Sequence, residues 1–145
     1  MSLTYEAAQN EILALFKAKW DLGSPSQGVL VVWPDEDEAV ARADATPYVV
    51  VELEHVAGRQ GSLAGATGDI RWERRGLVRV CIYTLAGRGL LQNTRLGMVA
   101  VDAFEGKTTP GGVWFRNVRY SEAPGRDGKW QQGNVVAEFT YDQFK

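Results

Sequence analysis

The chain has 145 residues, 45% of them hydrophobic, and a formal net charge of −2. That length suits one domain with a single core, and the apolar content excludes global disorder. The charge balance leaves no overall basic field to attract nucleic acid or an anionic membrane.

Near the N-terminus, Tyr5, Ala8, Ile12, Leu15, Phe16 and Trp20 recur at three- and four-residue steps, which predicts an amphipathic helix. Ser2 or Thr4 can cap it, and Glu6 in the first turn suits the helix dipole. Gly23, Ser24, Pro25 and Gly28 end it, and the apolar run Val29 to Trp33 reads as a short buried strand. Pro34 to Thr46 is a polar loop with room for a helical turn, and its charge is −4 (five acids, one base).

From Tyr48 to Val56 the sequence YVVVELEHV alternates: Val49, Val51 and Leu53 on one face, Val50, Glu52 and Glu54 on the other. This is the pattern of a half-buried strand. The next thirteen residues, AGRQGSLAGATGD, hold four glycines and one large apolar side chain, Leu63. Such a loop has little surface with which to offset the entropy of ordering. The strand pattern resumes from Ile70 to Thr84, with Val78, Val80 and Ile82 on one side, Arg79 and Cys81 on the other, and Gly76 marking a bulge or bend. The two strands and their glycine-rich connection read as a projecting arm suited to gripping another molecule.

Helical spacing returns from Leu90 to Phe104 through Leu90, Leu91, Met98, Val101, Ala103 and Phe104, with Gly106 as the expected C-cap. TTPGG then marks a turn, VWFRNVRY a strand, APGRDGK a hairpin connection and WQQGNVVAEFTY a final strand. The order α-β-β-β-α-β-β predicts a single α+β domain, residues 1–145, with two helices on a mainly antiparallel sheet. The N-terminus lacks the basic region and cleavage site of a signal peptide, the lone Cys81 cannot close an intrachain disulfide, and no run approaches ~20 apolar residues. A soluble, cytoplasmic domain without membrane contact is the expectation.

The chemical inventory offers little for catalysis. One His and one Cys, His55 and Cys81, cannot complete a zinc site, and the acidic run at Asp35 lacks the spacing of a calcium loop. Cys81 within VRVCIYT suits a sheet residue better than a nucleophile paired with His55, and His55 itself suits a surface or interface position. The glycine-rich segment lacks the Gly-Lys-Ser/Thr of a phosphate loop, and Gly87-Arg88-Gly89 lacks the third glycine of a dinucleotide fingerprint. The expectation is a protein that is not an enzyme and needs no cofactor or metal.

Arg71, Trp72, Glu73, Arg74 and Arg75 mix charge with an aromatic ring. Nucleic-acid surfaces do the same, but a run interrupted by Glu73 is better suited to protein contact, where alternating charges fix register. The segment from Gly58 to Gly76 sums to +2 (four bases, two acids), opposite in sign to Pro34–Thr46. An acidic loop meeting a basic arm is therefore one expected contact between subunits. The residues nominated for interaction are Arg59, Gln60 and Leu63, then Trp72, Arg74 and Arg75, with Asp35 and Glu36 as the acidic counterpart.

Taken together, AAQNEILALFKAKW, VVWPD, GRQGSL, RWERRGLVRVCIYT and AFEGKTTPGGVWFRNVR resemble the tail terminator-like proteins of long-tailed phages and prophages, in the same order and over nearly the whole chain. The resemblance implies a lambda-type tail terminator fold: an α+β subunit, monomeric in solution or joined into a homo-hexameric ring. Such a ring caps the tail tube, stops its polymerisation and presents the head-joining surface. Its implied partners are the tail tube protein and a head-completion or connector protein, in the bacterial host cytoplasm during assembly and then in the virion tail. The implied place of the glycine-rich loop is the lumen or tube-facing side. Rival readings are a head–tail connector or tail completion protein, a nucleic-acid-binding module built on Trp72 and its arginines, and a small hydrolase using Cys81 and His55.

Overall fold

The computed structural model describes residues 3–37, 46–62, 70–85, 90–123 and 130–145. Their elements are helix α1 (Tyr5–Leu22), strands β1 (Leu30–Val32), β2 (Tyr48–Gln60) and β3 (Arg71–Leu85), helix α2 (Leu90–Phe104), and strands β4 (Trp114–Ala123) and β5 (Trp130–Phe144). The expected α+β architecture and its α-β-β-β-α-β-β order are observed.

Helix α1 begins where the sequence places it. Thr4 is the N-cap, its Oγ1 accepting the Ala7 N–H at 3.1 Å. Ala8, Ile12, Phe16 and Trp20 form the buried face at four-residue steps. The Gly23 N–H closes the last turn on the Lys19 carbonyl, and the buried Ser26 hydroxyl donates to the Trp20 carbonyl at 2.6 Å.

The seam of α2 differs from the expected one. Val101, Ala103 and Phe104 are buried as expected, but Leu91 and Met98 are exposed, and Asn93, Leu96, Gly97 and Ala100 are buried in addition. The apolar pattern alone misplaces this face because a polar residue, Asn93, and a glycine stand on the buried side. Gly106 does end the helix at φ +71°, in the left-handed region that a glycine enters without strain.

The five described strands form one sheet in the order β1-β2-β3-β5-β4, antiparallel except for the β1–β2 pair. β1 is an edge strand in which Val32 alone is buried and Leu30 is 46% exposed. The expected buried strand is thus half-wet, as an edge position dictates.

Helices α1 and α2 cover one face of the sheet. Val49, Val51, Val78, Val80, Ile82, Val135, Ala137 and Phe139 point into this layer and are almost fully buried. Phe16 stacks against Trp20 and Phe104, with ring centroids 5.2 and 6.0 Å away. A smaller cluster, Val32, Tyr48 and Trp130, closes one end of the opposite face.

The arm is longer than the sequence implies. Ala57 to Gln60, expected in the loop, continue β2 and pair with β3 as far as Gln60 opposite Trp72. β5 runs alongside to Phe144 opposite Arg71, so the arm has three strands. The expected irregularity near Gly76 is present, but the extra residue is Val56 on β2, between the pairs His55–Gly76 and Ala57–Arg75. A Cβ at Gly76 would collide with the Glu54 carbonyl and the Phe139 ring, so the close approach of strands requires glycine here. Leu63 and the rest of the glycine-rich stretch to Asp69, like residues 38–45 of the acidic loop, lie outside the described residues.

Candidate interaction surfaces

Strand alternation places the arm residues on two faces. Trp72 and Arg74 look to the helix side; Arg59 and Arg75 look to the open side. On the helix side the Arg74 guanidinium lies over Tyr5 at 5.2 Å and over Trp72 at 5.4 Å. Its Nε donates to Gln143 Oε1 at 3.1 Å, and the Lys145 ammonium reaches the Trp72 ring at 5.8 Å. Arg74 thereby ties the start of α1 to the arm through cation–π contacts.

On the open side Glu73 gathers two bases. Arg75 Nε and Nη2 both reach its Oε1 at 2.7 Å, and Arg59 Nε approaches it at 3.3 Å. Desolvation opposes the charged form of Glu73, but the hydrogen bond from Arg75 and the two positive charges outweigh it, so the carboxyl sits below its usual range. Gln60 is exposed at the end of β2. Arg71 pairs more loosely with Asp142 at 3.7 Å.

The acidic counterpart occupies another part of the molecule. Glu36 fastens the turn after β1: its N–H donates to the Trp33 carbonyl at 2.9 Å, and its Oε1 accepts from the Trp33 N–H at 3.2 Å. Asp35 is exposed and borders a groove of about 570 Å³ that is also lined by Lys17, Leu13 and Trp33. Structure therefore gathers Arg59, Gln60, Trp72, Arg74 and Arg75 into one arm and sets Asp35 and Glu36 at the β1 edge.

His55 is neither bare nor paired with Cys81. It stacks on Tyr5 with centroids 4.2 Å apart and rings 2° from parallel, and its Nε2 is 2.8 Å from the Tyr141 hydroxyl. Burial, aided by the Arg74 charge, pushes its pKa below 6.5, and burial pushes the Tyr141 phenol up to about 12. Cys81 is buried on the opposite face of the sheet, where it pairs with Val50 and Asn134, so the two residues do not converge. Among the described residues, no three His, Cys, Asp or Glu side chains gather where a metal could sit, and no helix is long and apolar enough to cross a membrane.

Sequence reasoning missed two features. The first is a buried polar network in which Asn93 Nδ2 donates to the carbonyls of Ile82 and Gln131 and to Thr84 Oγ1, while Tyr120 donates to Asn93 Oδ1 at 2.6 Å. The second is a bulge in β4 at Asn117, whose φ of 51° falls in the left-handed region that asparagine tolerates better than most residues. Asn-117 inside VWFRNVRY was the available signal for it.

No family model matches the chain, and no curated protein does. Solved structures do. One, which carries no functional name, has 18% identity and a TM-score of 0.62 over 94% of this chain and 96% of its own. Another is a chain from the virion of a native gene transfer agent particle, with 15% identity and a TM-score of 0.59 over 96% of this chain and 99% of that one. At these identities the likeness is one of fold, and it extends from end to end in both partners.

Proposed function

We propose that this chain is a virion assembly protein of the tail terminator kind. The observation that carries the reading is the end-to-end fold shared with a chain of a gene transfer agent virion. The resemblance of AAQNEILALFKAKW, RWERRGLVRVCIYT and the other stretches to tail terminators narrows it further. A three-stranded arm ending in Arg59, Gln60, Trp72 and Phe144 supplies a surface with exposed polar, aromatic and charged groups for a partner.

In this reading, subunits join through unlike patches into a homo-hexameric ring. One face of the ring matches the growing end of the tail tube and the other does not, so the polymer stops. That second face then receives a head-completion or connector protein. The work is steric and uses no catalytic residue. It takes place in the host cytoplasm and leaves the protein in the virion tail.

Mixing the purified chain with tube protein from the same gene cluster, followed by negative-stain electron microscopy, tests the reading. Rings seated at one end of shortened tubes are expected. Tubes of unchanged length without end density would refute termination and leave the head–tail connector reading in its place.

A further inference from the structure

Among the described residues, one arginine beside the bulge in β4 is without a carboxylate. Arg116 pairs in register with Glu138, and Arg119 with Val136, so one extra residue lies between them on β4. With Asn117 turned to positive φ, Asn117 Nδ2 and Arg119 Nη1 both take Glu138 Oε2, at 2.7 and 3.6 Å. Arg119 thereby occupies the acid that a regular strand would offer Arg116. Arg116 instead leans toward Trp114, its guanidinium carbon 5.9 Å from the ring centroid, and its Nε is buried without a hydrogen-bond partner.

A second unsatisfied group lies on the same face of the neighbouring strand β5. Thr140 is paired in register with Trp114 on the same open face, is 3% exposed, and its Oγ1 has no partner. A buried donor left unpaired costs free energy, so the unsatisfied Arg116 Nε and Thr140 hydroxyl, on one face of adjacent strands, fit an incoming acceptor of negative charge. The neighbouring bases are engaged: Arg75 by Glu73, and Arg119 by Glu138. Trp114, 45% exposed, gives the site an apolar flank of the kind that anchors protein interfaces.

We infer that Arg116, with Thr140 and Trp114, receives the Asp35 carboxylate of a second copy of this chain. Strand order supplies the argument. Asp35 follows β1 at one edge of the sheet and Arg116 lies on β4 at the other. Four strand spacings of ~4.8 Å separate these edges, so the two groups cannot meet within one subunit. Joined between subunits they form an unlike-patch contact that repeats head to tail, as ring closure requires. Asp35 also sits in the acidic segment whose charge is −4, against which Arg116 is the complementary cation. The inference rests on the ring reading for its biological setting, and it places the base on β4 rather than on Arg74 and Arg75, which are held within the subunit.

Zero-length carbodiimide coupling of full-length Arg116→Lys tests it, because this reagent joins an amine to a carboxylate only in contact. Covalent oligomers should appear whose cross-linked peptide joins the introduced amine to Asp35, beyond the peptides that wild type yields. High salt should reduce them. In sedimentation velocity, Arg116→Glu or Asp35→Lys alone should weaken self-association by roughly tenfold or more, and the two together should restore it. Failure to find the 116–35 peptide in any oligomer band, or association of Arg116→Glu equal to wild type, overturns the contact. Tube capping reports separately: capping that survives Arg116→Glu refutes this contact and keeps the terminator reading. Charge-swap rescue without capping does the reverse.

Discussion

The two faces of the sheet are built on different principles. The helix-covered face is dry and dense: Val51, Val80, Phe139 and Phe16 are fully buried there, Phe16 stacks on Phe104, and Phe104 packs at a tilt against Phe115. The open face carries charged pairs at its surface, Glu52 with Arg79 at 3.1 Å and Arg119 with Glu138 at 3.6 Å, around half-buried Leu77 and Val136. The first face holds the subunit together, since apolar burial contributes far more than exposed ion pairs. Apart from the apolar cluster of Val32, Tyr48 and Trp130 at one end, the second carries ion pairs that contribute little to stability alone and are free to carry recognition.

Phe139→Ala breaks the comparison at its strongest point. This ring is fully buried and packs edge-on against His55 at 5.2 Å. Its loss should cost about 3–5 kcal/mol, read as a fall in denaturant midpoint. A loss below about 1 kcal/mol would mean that the helix-side layer is not the seat of stability.

Asn93→Ala comes next. It removes the buried amide that accepts from the Tyr120 hydroxyl and donates to the Ile82 and Gln131 carbonyls and should cost about 1–3 kcal/mol. Tyr120 reaches Asn93 past Gly97 and Gly133, where added Cβ atoms would collide with its ring or hydroxyl. Gly133→Ala should therefore reproduce much of the Asn93→Ala loss, and a wild-type midpoint for Gly133→Ala would separate the glycine from the network.

The contrast between faces was partly legible in the sequence. Alternation from Val49 to Glu54 told the dry side from the wet one, because strand periodicity is local and burial acts on every second residue. Four-residue steps did the same for α1. The seam of α2 was legible at Val101, Ala103 and Phe104 but not at Asn93, which is buried because Ile82, Tyr120 and Gln131, all distant in sequence, converge on it. For the same reason the candidate surfaces were half read. Arg59 and Arg75 were visible as bases, but Glu73 holds both only once β2 and β3 pair. The string shows Arg116 as one base among several but not its isolation, which follows from how the bulge at Asn117 directs Arg119.

At the base of the arm, pH sharpens the comparison, with a smaller effect. The folded state lowers the pKa of His55, so between the folded value and 6.5 the unfolded chain binds more protons. Stability from this group is complete above pH 6.5 and falls as pH drops through the folded value. Melting temperatures of wild type should therefore decline from pH 7.5 to pH 5, before carboxylates such as Glu73 titrate. His55→Gln should flatten that decline; an unchanged slope would assign it to other groups.

The smallest effect belongs to the open face and separates recognition from stability most cleanly. Glu52 and Arg79 form an exposed cross-strand pair with side chains 53% and 40% accessible, which should contribute about 0.2–1 kcal/mol to the isolated subunit and less in high salt. Glu52→Gln should thus leave the denaturant midpoint of the free chain nearly unchanged. In tubes capped by the protein, the same substitution acts in a different dielectric. If assembly covers this face, the pair loses its screening water, and removing Glu52 leaves Arg79 buried without its acid, a far costlier state. A large loss of capping beside an intact melting curve would assign the open face to the interface. Equal, small effects in both settings would leave it facing solvent in the assembly and confine contact to the arm and the sheet edges.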